Sequence, residues 1–259
     1  MMEQIVSRGI IDSYFEKLKN HLSVDVVVAG GGPSGLVASY YLAKQGFKVA
    51  LYERKLAPGG GMWGGAMMFN EIMVQEDALP VLDDFKISYS KYEQGYYTMD
   101  SVHATSALIY HASQAGVKMF NCTTIEDVVF LDNRVSGIVL NWAPVQRENM
   151  HVDPLVIMAR AVIDGTGHDC DIARTLERKN NIELNTSTGK VLGERSLSVD
   201  EAERTTIENT KEIFPGLYVC GMASNAVSGG FRMGPIFGGM LLSGKKVAGM
   251  IAESLKQPQ

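Results

Sequence analysis

At 259 residues the chain is long enough to bury a substantial core as one large α/β domain, and nothing in it requires a second independent one. Its 46% hydrophobic and 20% charged content with a formal net charge of -5 describe an ordinary soluble protein and indicate no basic surface for nucleic acid. Cys122, Cys170 and Cys220 form no CxxC pair and cannot all pair within one chain, which argues against a disulfide scaffold and for a reducing cytoplasm.

No apolar stretch reaches the length of a membrane span, and Glu3, Arg8 and Asp12 stand where a signal peptide needs an apolar run. Residues 3–22 place Ile11, Tyr14, Phe15, Leu18 and Leu22 on one face of a helix that precedes the first strand, a packing face more than a chemical one. His21 at its end reads as a capping or surface histidine.

Val24 to Ala29 is short and β-branched, as a strand covered on both faces should be, and Gly30-Gly31-Gly32-Pro33-Ser34-Gly35 follows it directly. Leu36 to Gln45 has helical spacing, Gly46 closes the helix, and Phe47 to Tyr52 returns as a second strand ending at Glu53. This is a βαβ unit with a dinucleotide fingerprint. Gly30 permits the tight turn, Gly32 lets backbone approach a pyrophosphate, and Gly35 lets the helix pack close to the strand. The helix N-terminus offers N–H groups to phosphate, and Glu53 stands where a carboxylate binds ribose hydroxyls.

The stretch Arg54 to Gly65 holds Gly59-Gly60-Gly61 and Gly64-Gly65, too much glycine for a regular element, and reads as a loop that covers a ligand. Arg54 can meet phosphate. Residues 76–94 show no decisive period, whereas Ser101 to Gly116 is expected to be a helix with Val102, Leu108, Ile109 and Ala112 inward. His103 and His111 on it are not spaced i, i+4, which disfavours a helical zinc pair.

Val117 to Phe120, Thr124 to Leu131 and Arg134 to Trp142 read as strands, the last two joined by an Asp132-Asn133 turn. In a dinucleotide fold, backbone near Ile125 can reach adenine. Leu155 to Ile163 is an apolar strand that ends in Asp164-Gly165-Thr166-Gly167-His168-Asp169, a small-residue turn like the second cofactor turn of two-part dinucleotide folds. Residues 170–212 are polar and uninformative. Pro215 to Met222 then gives a short buried strand ending in glycine, and the glycine-rich stretch 228–239 leads into a final helix through Leu255. The fold class is therefore α/β: a Rossmann-like dinucleotide-binding fold of the two-part (glutathione-reductase-like) type, with a central parallel sheet and an inserted β-meander. Residues 1–259 form one domain, with 1–22 as an N-terminal helical extension.

Two groups of residues can do chemistry. If 151–153 is extended, His151 and Asp153 point to one side and the following strand leads back toward His168; two imidazoles and a carboxylate suit a non-haem Fe(II) site, although on spacing alone the signal is weak. Arg232 in Gly229-Gly230-Phe231-Arg232-Met233-Gly234-Pro235 can present its fork to a carboxylate or phosphate.

Taken together, Gly30 to Gly35, Glu53-Arg54, Gly59 to Gly65, His151-Val152-Asp153-Pro154, Gly167-His168-Asp169 and Arg232-Met233-Gly234-Pro235 resemble the thiazole synthase family of thiamin biosynthesis over almost the whole chain. The resemblance implies that NAD is consumed: nicotinamide is lost, the ADP-ribose portion is isomerised and condensed with glycine, and sulfur enters as the ring closes. It implies nucleotide contacts at Ser34, Glu53, Arg54, Gly61 and Ile125, with Met222 near the reacting end. It matches Asp153 and His168 to iron ligands, contributed by neighbouring subunits of a homo-oligomeric ring, an octamer, and Arg232 to the residue that holds glycine's carboxylate. In the eukaryotic branch a cysteine that gives up its own sulfur stands where His151 stands here. The chain thus resembles the archaeal, sulfide-dependent branch, with Fe(II) as cofactor, NAD, glycine and sulfide as substrates, and His151 as an acid/base or polar wall. Cys170 is a rival sulfur donor. An FAD-dependent oxidoreductase of the same fold is the alternative, and a nucleotide-sensing module a third.

Overall fold

The computed structural model describes residues 1–257; Pro258 and Gln259, the end of the expected 1–259 unit, lie outside the described residues. In chain order the elements are α1 (Met2–Lys19), β1 (Ser23–Ala29), α2 (Pro33–Lys44), β2 (Val49–Glu53), β3 (Glu71–Gln75), α3 (Leu79–Asp84), β4 (Ser90–Glu93), β5 (Tyr96–Asp100) and α4 (Ser101–Gln114). They continue with β6 (Lys118–Asn121), β7 (Thr123–Leu131), β8 (Arg134–Trp142), α5 (Ala143–Arg147), β9 (Leu155–Asp164), α6 (Asp171–Lys179), β10 (Arg195–Leu197), α7 (Val199–Glu208), β11 (Lys211–Phe214), β12 (Leu217–Val219), α8 (Met222–Ser228), β13 (Phe231–Arg232) and α9 (Gly238–Lys256).

The central sheet runs β11-β12-β9-β1-β2-β6, with β1 parallel to β2 and β9, β2 parallel to β6, and β12 parallel to β9. The inserted meander is β7, β8 and β9, paired antiparallel in sequence, and β9 is long enough to serve both the meander and the central sheet. Alternation along the strands explains why the sheet is covered twice. Val26, Val28, Leu51 and Ile163 join the cluster under α2, α4 and α9, whereas Val27, Ala50, Tyr52 and Val162 join the one formed with the meander, α6 and α8. The parallel strands bring their C-terminal ends to one edge, where an open α/β sheet forms a crevice.

Local chemistry fixes the helices at that edge. Gly32 caps α2 in extended backbone with Pro33 at the first turn, and the Asp100 carboxylate accepts the His103 N–H to start α4. The first turn of α9 donates the Gly239 N–H to Glu203 at 2.7 Å.

The structure corrects several expectations. Of the expected face on α1, Leu18 is buried and Tyr14 packs partly buried against the core edge-on to Phe120, while Ile11, Phe15 and Leu22 are exposed, so only part of the face packs on this chain's own core. His21 takes the capping role of its two expected readings, buried with Nδ1 on the Lys17 carbonyl. Val102 points outward, and Ala104 and Thr105 take the inward places on α4 with Leu108 and Ala112. Residues 71–100 carry a small antiparallel sheet in the order β3-β5-β4, and residues 170–212 hold α6, β10 and α7. Among the described residues no helix is long and apolar enough to cross a membrane.

Candidate nucleotide and metal site

A cavity of about 460 Å³ opens where β1, β2 and β9 end. Its floor is the first glycine turn. Gly30 adopts a positive φ of 96°, a conformation that L side chains rarely take, and donates its N–H to the Tyr52 carbonyl at 2.8 Å. Gly32 and Gly61 face the cavity, and no protein atom stands within 4 Å of where a Cβ would sit on either. Ser34 lines the floor at the start of α2, and Gly35 lies beneath it, packed against the Gly30 carbonyl. Free N–H groups and the positive end of α2 thus meet an open space of ligand size.

Glu53 closes one side. It is buried; its Oε2 accepts the Gly31 N–H at 2.9 Å and its Oε1 the Lys55 N–H at 2.8 Å. Each oxygen keeps a lone pair for a further donor, so the carboxylate is both rigid and able to accept from hydroxyls. Arg54 reaches across the mouth to Asp169 at 3.3 Å and Asp171 at 3.6 Å, on half-exposed side chains. Burial raises the Asp171 carboxyl above its usual range, and Arg54 opposes that shift. Thr123, Thr124 and Ile125 at the start of the meander form the wall beyond Glu53.

The second turn follows β9. Asp164 is buried, and its two oxygens accept from the Thr166, Ile172 and Ala173 N–H groups, which ties the Gly165–Asp169 loop to the start of α6. Burial raises this carboxyl as well. His168 on that loop lines the cavity, and its Nδ1 lies 2.7 Å and 2.8 Å from the two carboxylate oxygens of Glu194. Met222, at the first position of α8, and Met233, Gly234, Phe237 and Met240 supply the apolar wall opposite.

Nine of the expected residues therefore share one cavity: Gly30, Gly32, Ser34, Glu53, Arg54, Gly61, Ile125, His168 and Met222. His151, Asp153 and Arg232 do not line it within one chain; all three are exposed. His151 and Asp153 stand on the segment between α5 and β9, which is anchored where Asn141 Nδ2 donates to the Val152 carbonyl at 2.9 Å. Arg232 stands on β13, next to the cavity residues Met233 and Gly234. Among the described residues no group of three or more His, Cys, Asp or Glu is placed to hold a metal. Cys170 is fully buried and its thiol is pushed up to about 12, first by burial and then by the Asp164 charge, so it has neither the exposure nor the thiolate of a sulfur donor. Cys220 is likewise a small buried residue.

Sequence reasoning missed Glu194. It lies in a polar, irregular stretch with no periodicity, and backbone hydrogen bonds of its neighbours Gly193 and Arg195 to Ala226 and Gly230 bring it to His168.

The chain matches the model of the Thi4 family over residues 7–237. A thiamine thiazole synthase from Methanothermobacter thermautotrophicus is 57% identical over 251 residues, 97% of each chain. One from Pyrococcus furiosus is 51% identical over 255 residues, 98% of this chain and 99% of that one. The crystal structure of Thermovibrio ammonificans THI4 superposes with a TM-score of 0.97 at 52% identity, covering 99% of this chain and 100% of that one. Glycine turn, carboxylate and histidine loop thus sit in a fold shared end to end with these proteins, and the chain belongs to the Thi4 family, the thiamine thiazole synthases of thiamin biosynthesis.

Proposed function

We propose that the chain is a sulfide-dependent thiazole synthase that turns NAD, glycine and sulfide into an ADP-linked thiazole carboxylate and releases nicotinamide. The observation that carries this reading is the continuity of one cavity from Gly32 and Ser34 at the α2 N-terminus to His168 and Met222. The pyrophosphate of NAD lies on the first turn, where backbone N–H groups and the helix dipole meet its charge. Glu53 accepts from the adenosine ribose, backbone at Ile125 meets adenine, and Arg54 exchanges Asp169 and Asp171 for phosphate.

The reacting ribose then falls between His168 and the apolar wall of Met222, Met233 and Phe237, which keeps water away from it. Arg232 holds the glycine carboxylate in its fork, so that the amine meets the sugar ketone at high effective concentration. His151, from its exposed segment, acts as an acid/base or polar wall.

The donor chemistry suits Fe(II), since an imidazole and a carboxylate with open positions are ligands iron accepts. His168 provides the imidazole, with Nδ1 engaged and Nε2 left over. Asp153, exposed and outside its own chain's cavity, provides the carboxylate to a neighbouring subunit of a homo-oligomer. Held by these two side chains, an Fe(II) ion would supply Lewis acidity for sulfide. The buried Cys170 and Cys220 and the imidazole at residue 151 favour free sulfide over a protein sulfur, and a reducing cytoplasm fits that source.

Anaerobic incubation of the purified protein with NAD, glycine, sulfide and Fe(II), followed by mass analysis, tests the reading. Thiazole in molar excess over protein, with the protein mass unchanged, is expected. Product that never exceeds one per chain, with a loss of sulfur from the protein, overturns it.

A further inference from the structure

The contact between His168 and Glu194 is more than a surface ion pair. Glu194 keeps 16% of its side chain exposed against 51% for His168, so the carboxylate is the more buried and the imidazole the more exposed partner. The backbone on both sides of Glu194 is pinned: the Gly193 N–H donates to the Ala226 carbonyl and the Arg195 N–H to the Gly230 carbonyl, each at 2.9 Å. Arg195 then lies over the Phe231 ring, 4.3 Å from its centroid, and β10 pairs with β13.

A carboxylate accepts and does not donate, so the proton in this contact belongs to His168 Nδ1. The nitrogen left with a lone pair is Nε2, on a side chain that lines the cavity. Both Glu194 oxygens are within hydrogen-bond distance of the same nitrogen, which holds the ring against rotation about its χ angles.

We propose that Glu194 is a positioning residue that fixes His168 in the Nδ1–H tautomer, turns Nε2 into the cavity, and sets how strongly His168 binds a divalent cation. The inference rests on the reading of His168 as a metal ligand. A carboxylate behind an imidazole fixes its tautomer and removes the entropy of finding the ligating rotamer, and loss of such a partner weakens metal binding by about 10–100-fold. An ion pair that served folding alone would leave metal affinity where it was.

The experiment uses the full chain and Co(II) as probe, read by its visible absorption, with imidazole ¹⁵N spectra recorded in parallel. Wild type should show His168 as the Nδ1–H tautomer; Glu194→Ala should lose that single tautomer and bind Co(II) about 10–100-fold more weakly. Glu194→Gln keeps a carbonyl acceptor for Nδ1–H and should fall between them, which guards against a misfolded variant. NAD affinity should be unchanged in both. Unchanged tautomer, or a changed tautomer with unchanged Co(II) affinity, overturns the proposal. If His168→Ala binds Co(II) as wild type does, the metal reading itself fails, and the spectra still decide whether Glu194 orders the ring.

Discussion

The Gly165 carbonyl stands directly behind the Cα of Gly30, so close that a Cβ on Gly30 would collide with it. The first and second turns of the cavity thus brace each other back to back, and one methyl group separates a structural glycine from a binding one. Gly30→Ala meets both this carbonyl and a positive φ of 96°; it should cost about 2 kcal/mol or more and lower Tm by roughly 4–8 °C. Gly32→Ala has φ of −71° and open space beside it, so its stability should stay within about 1 kcal/mol of wild type while NAD affinity drops at least about 10-fold. Thermal melts beside calorimetric titration with NAD separate the two; equal melts for both variants would contradict this division.

Glu53 holds the turn as well as facing the ligand. Glu53→Ala leaves the Gly31 N–H without its partner and should lose about 1–3 kcal/mol. Glu53→Gln keeps one oxygen for the Gly31 N–H but turns an NH2 toward the Lys55 N–H, so it should lose less stability than the Ala variant while binding NAD about 10-fold more weakly. Denaturant unfolding and NAD titration of the pair check this, and a Gln variant with wild-type affinity would remove Glu53 from ribose recognition.

Glu203 gives the stability a pH dependence. It is buried, its Oε1 has no partner among the described residues, and burial pushes its carboxyl from the usual 4.5 up to about 7 in spite of the Gly239 N–H. Between those values the native chain keeps a proton that the unfolded chain releases. This contribution is therefore full below about pH 4.5 and is lost as pH rises toward 7, on the order of 3 kcal/mol in all. Glu203→Gln does not titrate. Urea unfolding at pH 5 and pH 8 should show the Gln variant gaining on wild type by that amount, and parallel pH profiles would refute it.

Cys170 should be dispensable for sulfur. Cys170→Ala removes a thiol that is buried and pushed up to about 12; with free sulfide present the variant should still form thiazole at a rate within about 3-fold of wild type. A variant that keeps its fold by circular dichroism yet makes no thiazole would return Cys170 to the chemistry.

Arg232 should act on glycine and not on the nucleotide. Arg232→Ala is expected to raise the KM for glycine about 10-fold or more with NAD affinity unchanged, because the lost contact is a charged fork on a carboxylate. An unchanged KM for glycine, or a matching loss for NAD, would place the guanidinium elsewhere.

The parts of this site that could be read from the amino acids are those whose local geometry depends on local residues. The strand Ser23–Ala29, the turn of Gly30 to Gly35 and the helix after it have their bounds set by β-branched residues, glycines and Pro33, and the sequence places them within a few residues. Glu194 could not be read that way, because its meaning comes from a partner 26 positions earlier and from a ribbon of two short strands. Periodicity also misled where it has no direction of its own. The stripe of Ile11, Tyr14, Phe15 and Leu18 on α1 has helical spacing, yet Tyr14 and Leu18 reach the core while Ile11 and Phe15 stay exposed, since spacing marks a face and not what covers it. The same holds for Val102, which shares α4 with the inward Leu108 but lies on its open side.

The parallel pairing of β10 with β13 sets Arg195 opposite Phe231 and Leu197 opposite Arg232, and Glu194 stands one position before the ribbon. Because side chains alternate along a strand, a slip of a single residue turns each of them over. A change that re-registers this ribbon therefore shifts the prop behind His168 and the reach of Arg232 in the same stroke. Whatever these two side chains grip, a change of register moves both at once, whereas a substitution at Glu194 or at Arg232 retunes one of them alone.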